Sequence, residues 1–326
     1  MTHNDPLHVV FLDRATIPSD IPLKPFGFPN TYLEHDRTRP DEVAARIADA
    51  DVVIVNKVRI DAAALDAAPR LRMIAVAATG TDNVDLAACS ERGIVVSNVR
   101  GYAGRSVPEH TFALIFALRR NLLAYRDAVG GGRWEQSGQF CFHDYPIRDL
   151  GGSTLGIIGD GDLGQSVGRI GAALDMRVVY AEHGVRHAPQ AEYLPLEDLL
   201  RQSDVITLHV PLRPETQHLI DAPQFALMER RPLLINTARG GLVNEHALDT
   251  ALRSGRIAGA GFDVASAEPL PEGHVLMRLT ELPQFLLTPH IAWASDQAIR
   301  ALADQVVENV EAFHRGSPLR TVAPRR

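Results

Sequence analysis

Apolar residues along the chain gather into short, β-branched runs separated by amphipathic stretches. The runs 7–12, 51–55, 73–77, 94–97, 154–158, 177–181, 204–209, 233–236, 257–262 and 285–287 are almost continuously hydrophobic. A strand with one wet face alternates, whereas continuous runs mark strands covered on both faces. Between them, 41–50, 163–174, 196–201 and 244–254 carry apolar residues at helical spacing. Strand and helix taken in turn predict crossover units and parallel sheets, hence an α/β fold. Closed barrels share that pattern; the glycine-rich loop described below favours two open, doubly wound sheets.

The punctuation divides the series. A helix is predicted over 105–126, with Ser106 as its cap, Pro108 early in it and Glu109 complementing its positive end. Gly130-Gly131-Gly132 and the segment from Gly138 to Gly152 have no clear period and separate an N-terminal βα series from one starting near Thr154. The last helix, 296–315, is ended by Gly316 and Pro318.

Composition narrows the function classes. The 326 residues include 33 basic and 40 acidic ones, a formal net charge of −7, which opposes binding to a phosphate backbone. Nucleic acid is therefore not expected as a partner. No apolar run is long enough for a membrane span, and the N-terminal residues, with Asp5 and Asp13, do not read as a secretion signal. Two cysteines, Cys89 and Cys141, are too few for a disulfide framework and have no adjacent base or metal-ligand spacing. A cytoplasmic protein is expected.

Candidate chemistry begins at Gly159-Asp-Gly161-Asp162-Leu163-Gly164, which follows a buried strand and opens a helix. In that setting Gly159 permits the tight turn, Gly161 admits a pyrophosphate close to the backbone, and Gly164 lets helix and strand approach. The helix N-terminus then faces the phosphates. A second strand ends at Glu182, 18 residues after Gly164, near the spacing expected for the carboxylate that accepts from a ribose 2′-hydroxyl. Glu182 favours NAD over NADP, because it repels a 2′-phosphate; Arg186, four residues on, works the other way. Asp160 and Asp162 are unusual in such a loop. Either their side chains point to solvent or they weaken cofactor affinity, and both readings stay open here. His183 and His187 stand four apart after the strand, in what reads as a loop, and no metal site is expected.

Three further segments place polar residues just after apolar strands, where open α/β sheets bind ligands. They contain Arg239, then Asp263 and Glu268, then His290. Each alone has a bland reading as a surface ion pair, a solvated loop or a structural histidine. Together with the glycine loop they resemble the D-isomer-specific 2-hydroxyacid dehydrogenase family over nearly the whole chain. Asn56-Lys57-Val58, Ala78-Thr79-Gly80-Thr81-Asp82-Asn83-Val84-Asp85, Ser106-Val-Pro-Glu-His110, Gln139-Phe-Cys141 and His290-Ile-Ala-Trp293-Ala-Ser295 resemble its glycerate dehydrogenase or hydroxypyruvate reductase branch.

The resemblance implies an NAD-dependent oxidoreductase acting on a small 2-keto or 2-hydroxy acid such as hydroxypyruvate, D-glycerate or glyoxylate. It gives Arg239 the substrate's carboxylate and carbonyl, a bidentate task suited to a guanidinium. It gives His290 the proton transfer, which suits an imidazole that ordinarily titrates near pH 6.5, and it gives Glu268 the orientation of that ring. Lys57 and the backbone of Thr79, Gly80 and Thr81 are implied for the substrate. Asp162, Leu163, Val210, Pro211, Thr216, Ala238 and Asp263 are implied along the cofactor, and Trp293 either at the substrate pocket or the cofactor, or in packing. The implied architecture is a flavodoxin-like substrate domain, residues 1–101 completed by 292–326, and a Rossmann dinucleotide-binding domain, 102–291. The helix beginning near Arg105 resembles the family's dimerisation region, so a homodimer is expected. A non-catalytic, NAD-sensing binding protein on the same scaffold, like the corepressors, is the competing reading. A formate-type dehydrogenase fits less well, since those pair a glutamine, not Glu268, with the histidine.

Overall fold

The computed structural model describes residues 6–324; Asp5 and the terminal Arg325 and Arg326 lie outside the described residues. The chain divides into two compact units, Met1–Ala103 with Ser295–Arg326, and Gly104–Ala294.

The first unit holds a five-stranded sheet. Its strands are β1 (Leu7–Phe11), β2 (Asn30–Glu34), β3 (Val52–Val55), β4 (Met73–Val76) and β5 (Val95–Ser97), in the order β2-β1-β3-β4-β5. All pairings between strands are parallel, and this is the flavodoxin-type order. β3 and β4 are buried at every residue, which the continuous apolar runs predict. The helix Asp296–His314 belongs to this unit and packs on β4. The C-terminal segment then pairs antiparallel with β5 through Thr321 and covers that edge.

The second unit holds a seven-stranded parallel sheet made of β6 (Thr154–Ile158), β7 (Arg177–Ala181), β8 (Glu192–Leu194), β9 (Val205–Leu208), β10 (Leu233–Asn236), β11 (Gly259–Phe262) and β12 (Phe285–Leu287). The order is β12-β11-β10-β9-β6-β7-β8. Counted from β6, the chain runs outward to β8, returns, and runs outward again from β9. The strand order therefore reverses beside β6, at the place where open α/β sheets hold ligands.

Two strands have no counterpart in the sequence pattern. β2 and β8 are both sheet edges, and β2 is exposed at four of its five residues. An edge strand need not be continuously apolar, so its signal is weak. The single helix predicted over 105–126 is instead two, Ser106–Arg119 and Leu122–Gly130. Asn121 separates them in the left-handed region at φ 49°, a conformation asparagine tolerates well. Ser106 is also not the cap. Arg105 holds that position, and the Ser106 hydroxyl donates to the Ala292 carbonyl at 2.6 Å.

Candidate active site

At the end of β6 the chain turns through Gly159 at φ +107°. A Cβ there would lie 2.5 Å from the His209 carbonyl oxygen, and one on Gly164 would lie 1.9 Å from the Gly159 carbonyl oxygen. The first glycine is thus required by conformation and by the neighbouring strand, the third by close packing of helix on turn. A Cβ on Gly161 would meet nothing within 4 Å, so space lies open over the middle of the loop. The helix Asp162–Ala173 starts there without a side-chain cap, leaving its positive end to a ligand. These features fit the pyrophosphate of a dinucleotide. Glu182 follows β7 directly, half-exposed, with Arg186 donating to it at 2.9 Å. Val210, Pro211 and Thr216 leave β9 next to this loop. The Thr216 hydroxyl donates to the Pro211 carbonyl at 2.8 Å and closes the turn.

Asp160 and Asp162 behave differently. Asp162 is exposed. Asp160 is 2 % exposed, so the solvent reading fails for it. One carboxylate oxygen, Oδ2, accepts from the Tyr193 hydroxyl at 2.5 Å and the His187 amide at 2.6 Å. The other, Oδ1, lies 2.6 Å from His183 Nε2 and 2.9 Å from His187 Nδ1. Burial opposes the charge, but the bonds from Tyr193, His187 and His183 outweigh it and hold the carboxyl well below the usual range. His209 is buried nearby, with Nδ1 shut off from solvent and without a hydrogen-bond partner. Desolvation lowers its pKa to about 4.

The three catalytic candidates leave the C-terminal ends of adjacent parallel strands. Arg239 lies three residues after β10, Glu268 six after β11 and His290 three after β12. Buried Asn236 sets the first turn by accepting from the Ala238 amide at 3.1 Å and donating to the Arg239 carbonyl at 2.8 Å. Gly240 is needed next, because a Cβ there would sit 1.9 Å from the backbone of Ala265. The Arg239 turn therefore lies directly against the loop that carries Glu268. That loop is pinned by buried Glu245, which accepts from the Ser266 amide at 2.8 Å and hydroxyl at 2.7 Å.

Glu268 uses both oxygens. Oε1 accepts from the Ala265 amide at 3.0 Å, and Oε2 lies 2.6 Å from His290 Nδ1. A carboxylate only accepts, so Nδ1 carries the proton and Nε2 is left for a ligand. His290 is left-handed, at φ 56°, a backbone state an L-residue adopts only when its surroundings enforce it. Asp263, 1 % exposed, does this. Its Oδ1 accepts from the Thr288 hydroxyl at 2.5 Å and the Ile291 amide at 2.9 Å, and its Oδ2 from the Ala292 amide at 2.7 Å. The Trp293 indole donates to the His290 carbonyl at 2.9 Å.

In the five-stranded unit, Lys57 follows β3 and Thr79–Thr81 follow β4, on the same end of that sheet. Asp13 accepts from the amides of Asn56, Lys57 and Val58 at 2.8, 2.6 and 3.1 Å. Burial pushes its carboxyl up despite these bonds. Thr79 is held by Val99 and Asn98 at 2.9 and 2.7 Å. Sequence reasoning did not single out Asp13, Asn236 or Glu245. For Asp13 the usable signal is an aspartate just past an apolar strand, a position that Asp160 and Asp263 share. Cys141 also departs from expectation, since His143 Nε2 lies 3.4 Å from its sulfur. Cys89 is buried, and its thiol is pushed up to about 11.

Residues 112–292 match the model of the D-isomer specific 2-hydroxyacid dehydrogenase NAD binding domain. The glycerate dehydrogenase of Methylorubrum extorquens is 50% identical over 315 residues, which is 96% of this chain and 98% of that protein. Among solved structures, the D-lactate dehydrogenase of Aquifex aeolicus with NAD and lactic acid superposes with a TM-score of 0.81 at 28% identity, covering 98% of this chain and 100% of that one. The NADPH-dependent glyoxylate/hydroxypyruvate reductase of Sinorhizobium meliloti, in complex with citrate, does so with a TM-score of 0.81 at 28% identity, over 97% and 98% of the two chains. The chain belongs to the D-isomer specific 2-hydroxyacid dehydrogenase family, alongside the glycerate dehydrogenase and hydroxypyruvate reductase branch. It is an NAD-linked oxidoreductase of hydroxy acids. No helix among the described residues is long and apolar enough to cross a membrane.

Proposed function

We propose that this enzyme interconverts a three- or two-carbon 2-keto acid and its D-2-hydroxy acid, with hydroxypyruvate, D-glycerate and glyoxylate as the substrate class. The observation that carries this is the 2.6 Å contact between His290 Nδ1 and Glu268 Oε2, on a loop packed against the Arg239 turn. Bound NADH supplies the hydride for the carbonyl carbon. Arg239 takes the substrate carboxylate and carbonyl oxygen through its planar fork. His290 gives its Nε2 proton to the carbonyl oxygen as charge develops there and recovers it in the reverse direction. Glu268 keeps the ring in register by holding Nδ1–H. Lys57 and the Thr79–Thr81 backbone add positive potential and amide donors for the carboxylate. Asp162, Leu163, Gly164, Glu182, Val210, Pro211, Thr216, Ala238 and Asp263 serve the dinucleotide; Glu182 selects NAD by repelling a 2′-phosphate.

We further propose a homodimer formed through residues 106–148. Of the 14 large hydrophobic residues exposed among those described, seven fall between Phe116 and Ile147, including Phe140 at 88 %. Two unpaired cysteines support a reducing, cytoplasmic setting. The decisive experiment follows NADH consumption over glyoxylate, hydroxypyruvate, pyruvate and bulkier keto acids. Turnover should concentrate on the small ones, and His290→Ala should lower kcat by about 10²–10⁴ while NADH still binds. No turnover across the panel by cofactor-bound protein would overturn the proposal.

A further inference from the structure

The dinucleotide unit holds a second constellation that the reaction does not use. Asp160, His183 and His187 each offer one ligand atom, and the three atoms lie within 4.8 Å of one another. The carboxylate is fixed in the glycine loop at 2 % exposure, whereas the two rings come from the loop after β7 and are 40 % and 56 % exposed. Spacing along a loop gives the two histidines no metal signature. Folding supplies the missing third ligand by bringing Asp160 between them.

We propose that Asp160 Oδ1, His183 Nε2 and His187 Nδ1 form a site for one divalent transition-metal ion, zinc by donor type. Two imidazoles and a carboxylate suit zinc better than calcium or magnesium, which take all-oxygen sets. Zinc bonds of about 2.0–2.2 Å place tetrahedral ligand atoms roughly 3.3 Å apart. The present separations of 2.6 and 2.9 Å grow to that by withdrawal of two exposed rings, while the carboxylate stays still. Asp160 already has a supporting shell, because the Tyr193 hydroxyl and the His187 amide bind its other oxygen. The fourth position faces solvent and takes a water. The ion replaces two ring N–H bonds with two metal bonds and ties the loop carrying Glu182 to the glycine loop. Arg186 is turned to Glu182 at 2.9 Å and over the Tyr193 ring at 4.7 Å. The site stands whichever 2-keto acid the enzyme reduces.

Full-length enzyme stripped with a chelator is titrated with Co²⁺, followed by its visible absorption, and with Zn²⁺ against a chromophoric chelator. One equivalent should bind, and it should raise the melting temperature of cofactor-free enzyme. In the double variant His183→Gln/His187→Asn the amides still donate to Asp160, so the fold is kept, but affinity should fall by more than about 100-fold, since losing even an outer-shell partner costs 10–100-fold. Cys141→Ser should leave binding unchanged. The proposal is overturned if wild-type enzyme takes up no ion at equimolar, micromolar concentrations. It is equally overturned if binding survives the double variant, or if Cys141→Ser removes it, which would place the ion at the Cys141–His143 pair.

Discussion

Two aspartates, each just past a strand of the same sheet and each almost sealed from water, hold two different kinds of loop. Asp263, after β11, accepts mainly from backbone amides of 291 and 292 and so enforces the left-handed turn that presents His290. Asp160, after β6, accepts mainly from side chains: a tyrosine and two histidines. A clamp on backbone is indifferent to metal ions, because an amide N–H does not coordinate. A clamp built from imidazoles can exchange its ring N–H donors for bonds to a metal. Asp13 in the five-stranded unit repeats the first kind, with three backbone amides. The molecule thus uses the backbone clamp where proton transfer needs a fixed ring, and the side-chain one beside the residue expected to select the cofactor.

The sharpest way to break this contrast is at Asp263. Asp263→Asn keeps the shape but leaves the Ala292 amide facing an NH₂ group. An unmet buried donor costs about 1–3 kcal/mol, and a displacement of His290 by an ångström should lower kcat by about 10²-fold. Steady-state kinetics beside a denaturant melt measure both. Unchanged kcat would mean that the His290 turn does not need the clamp.

Acid should act on the glycine-loop region through His209, which packs against Gly159. The folded ring titrates at about 4, against 6.5 for the ordinary group. Between those values the unfolded chain binds the extra proton, so stability falls as pH drops through the window. The contribution is complete above 6.5 and exhausted below 4, and amounts to about 3 kcal/mol at most. His209→Gln, which keeps a partner for the Thr207 hydroxyl, should flatten the decline of denaturation midpoints across that range. An equally steep decline would assign the acid sensitivity elsewhere.

A smaller effect should follow from Tyr193→Phe. It removes one of the two donors on Asp160 Oδ2 and the acceptor of the Ala188 amide. Hydrogen bonds to a charged group are worth about 1.5–3 kcal/mol, so a loss of about 2 kcal/mol is expected in chemical denaturation, with kcat on the preferred keto acid held within a factor of a few. A large kcat defect would show that the two clamps are coupled and that the contrast is too simple.

Much of this was legible in the chain. Continuous apolar runs marked the covered strands, and residues placed just after them, Gly159, Arg239, Glu268 and His290, marked the ligand-binding end of the sheet. The edge strands β2 and β8 carry no such signal, because β2 has one neighbour and mostly exposed side chains, and β8 is only three residues long. The break at Asn121 was hidden because an asparagine inside a helical period is ordinary until its φ is known.

The sequence by itself determined the alternation of strand and helix, the glycine turn and the residue types available for chemistry, because those depend on local sterics and on periods of two to four residues. Only the tertiary structure decided what each buried carboxylate does. The partners of Asp160 stand 23, 27 and 33 residues away, and those of Asp263 25 to 29. Partners that far off are chosen by which strands lie side by side, and an aspartate in a loop reads the same whether it meets water, an amide or an imidazole.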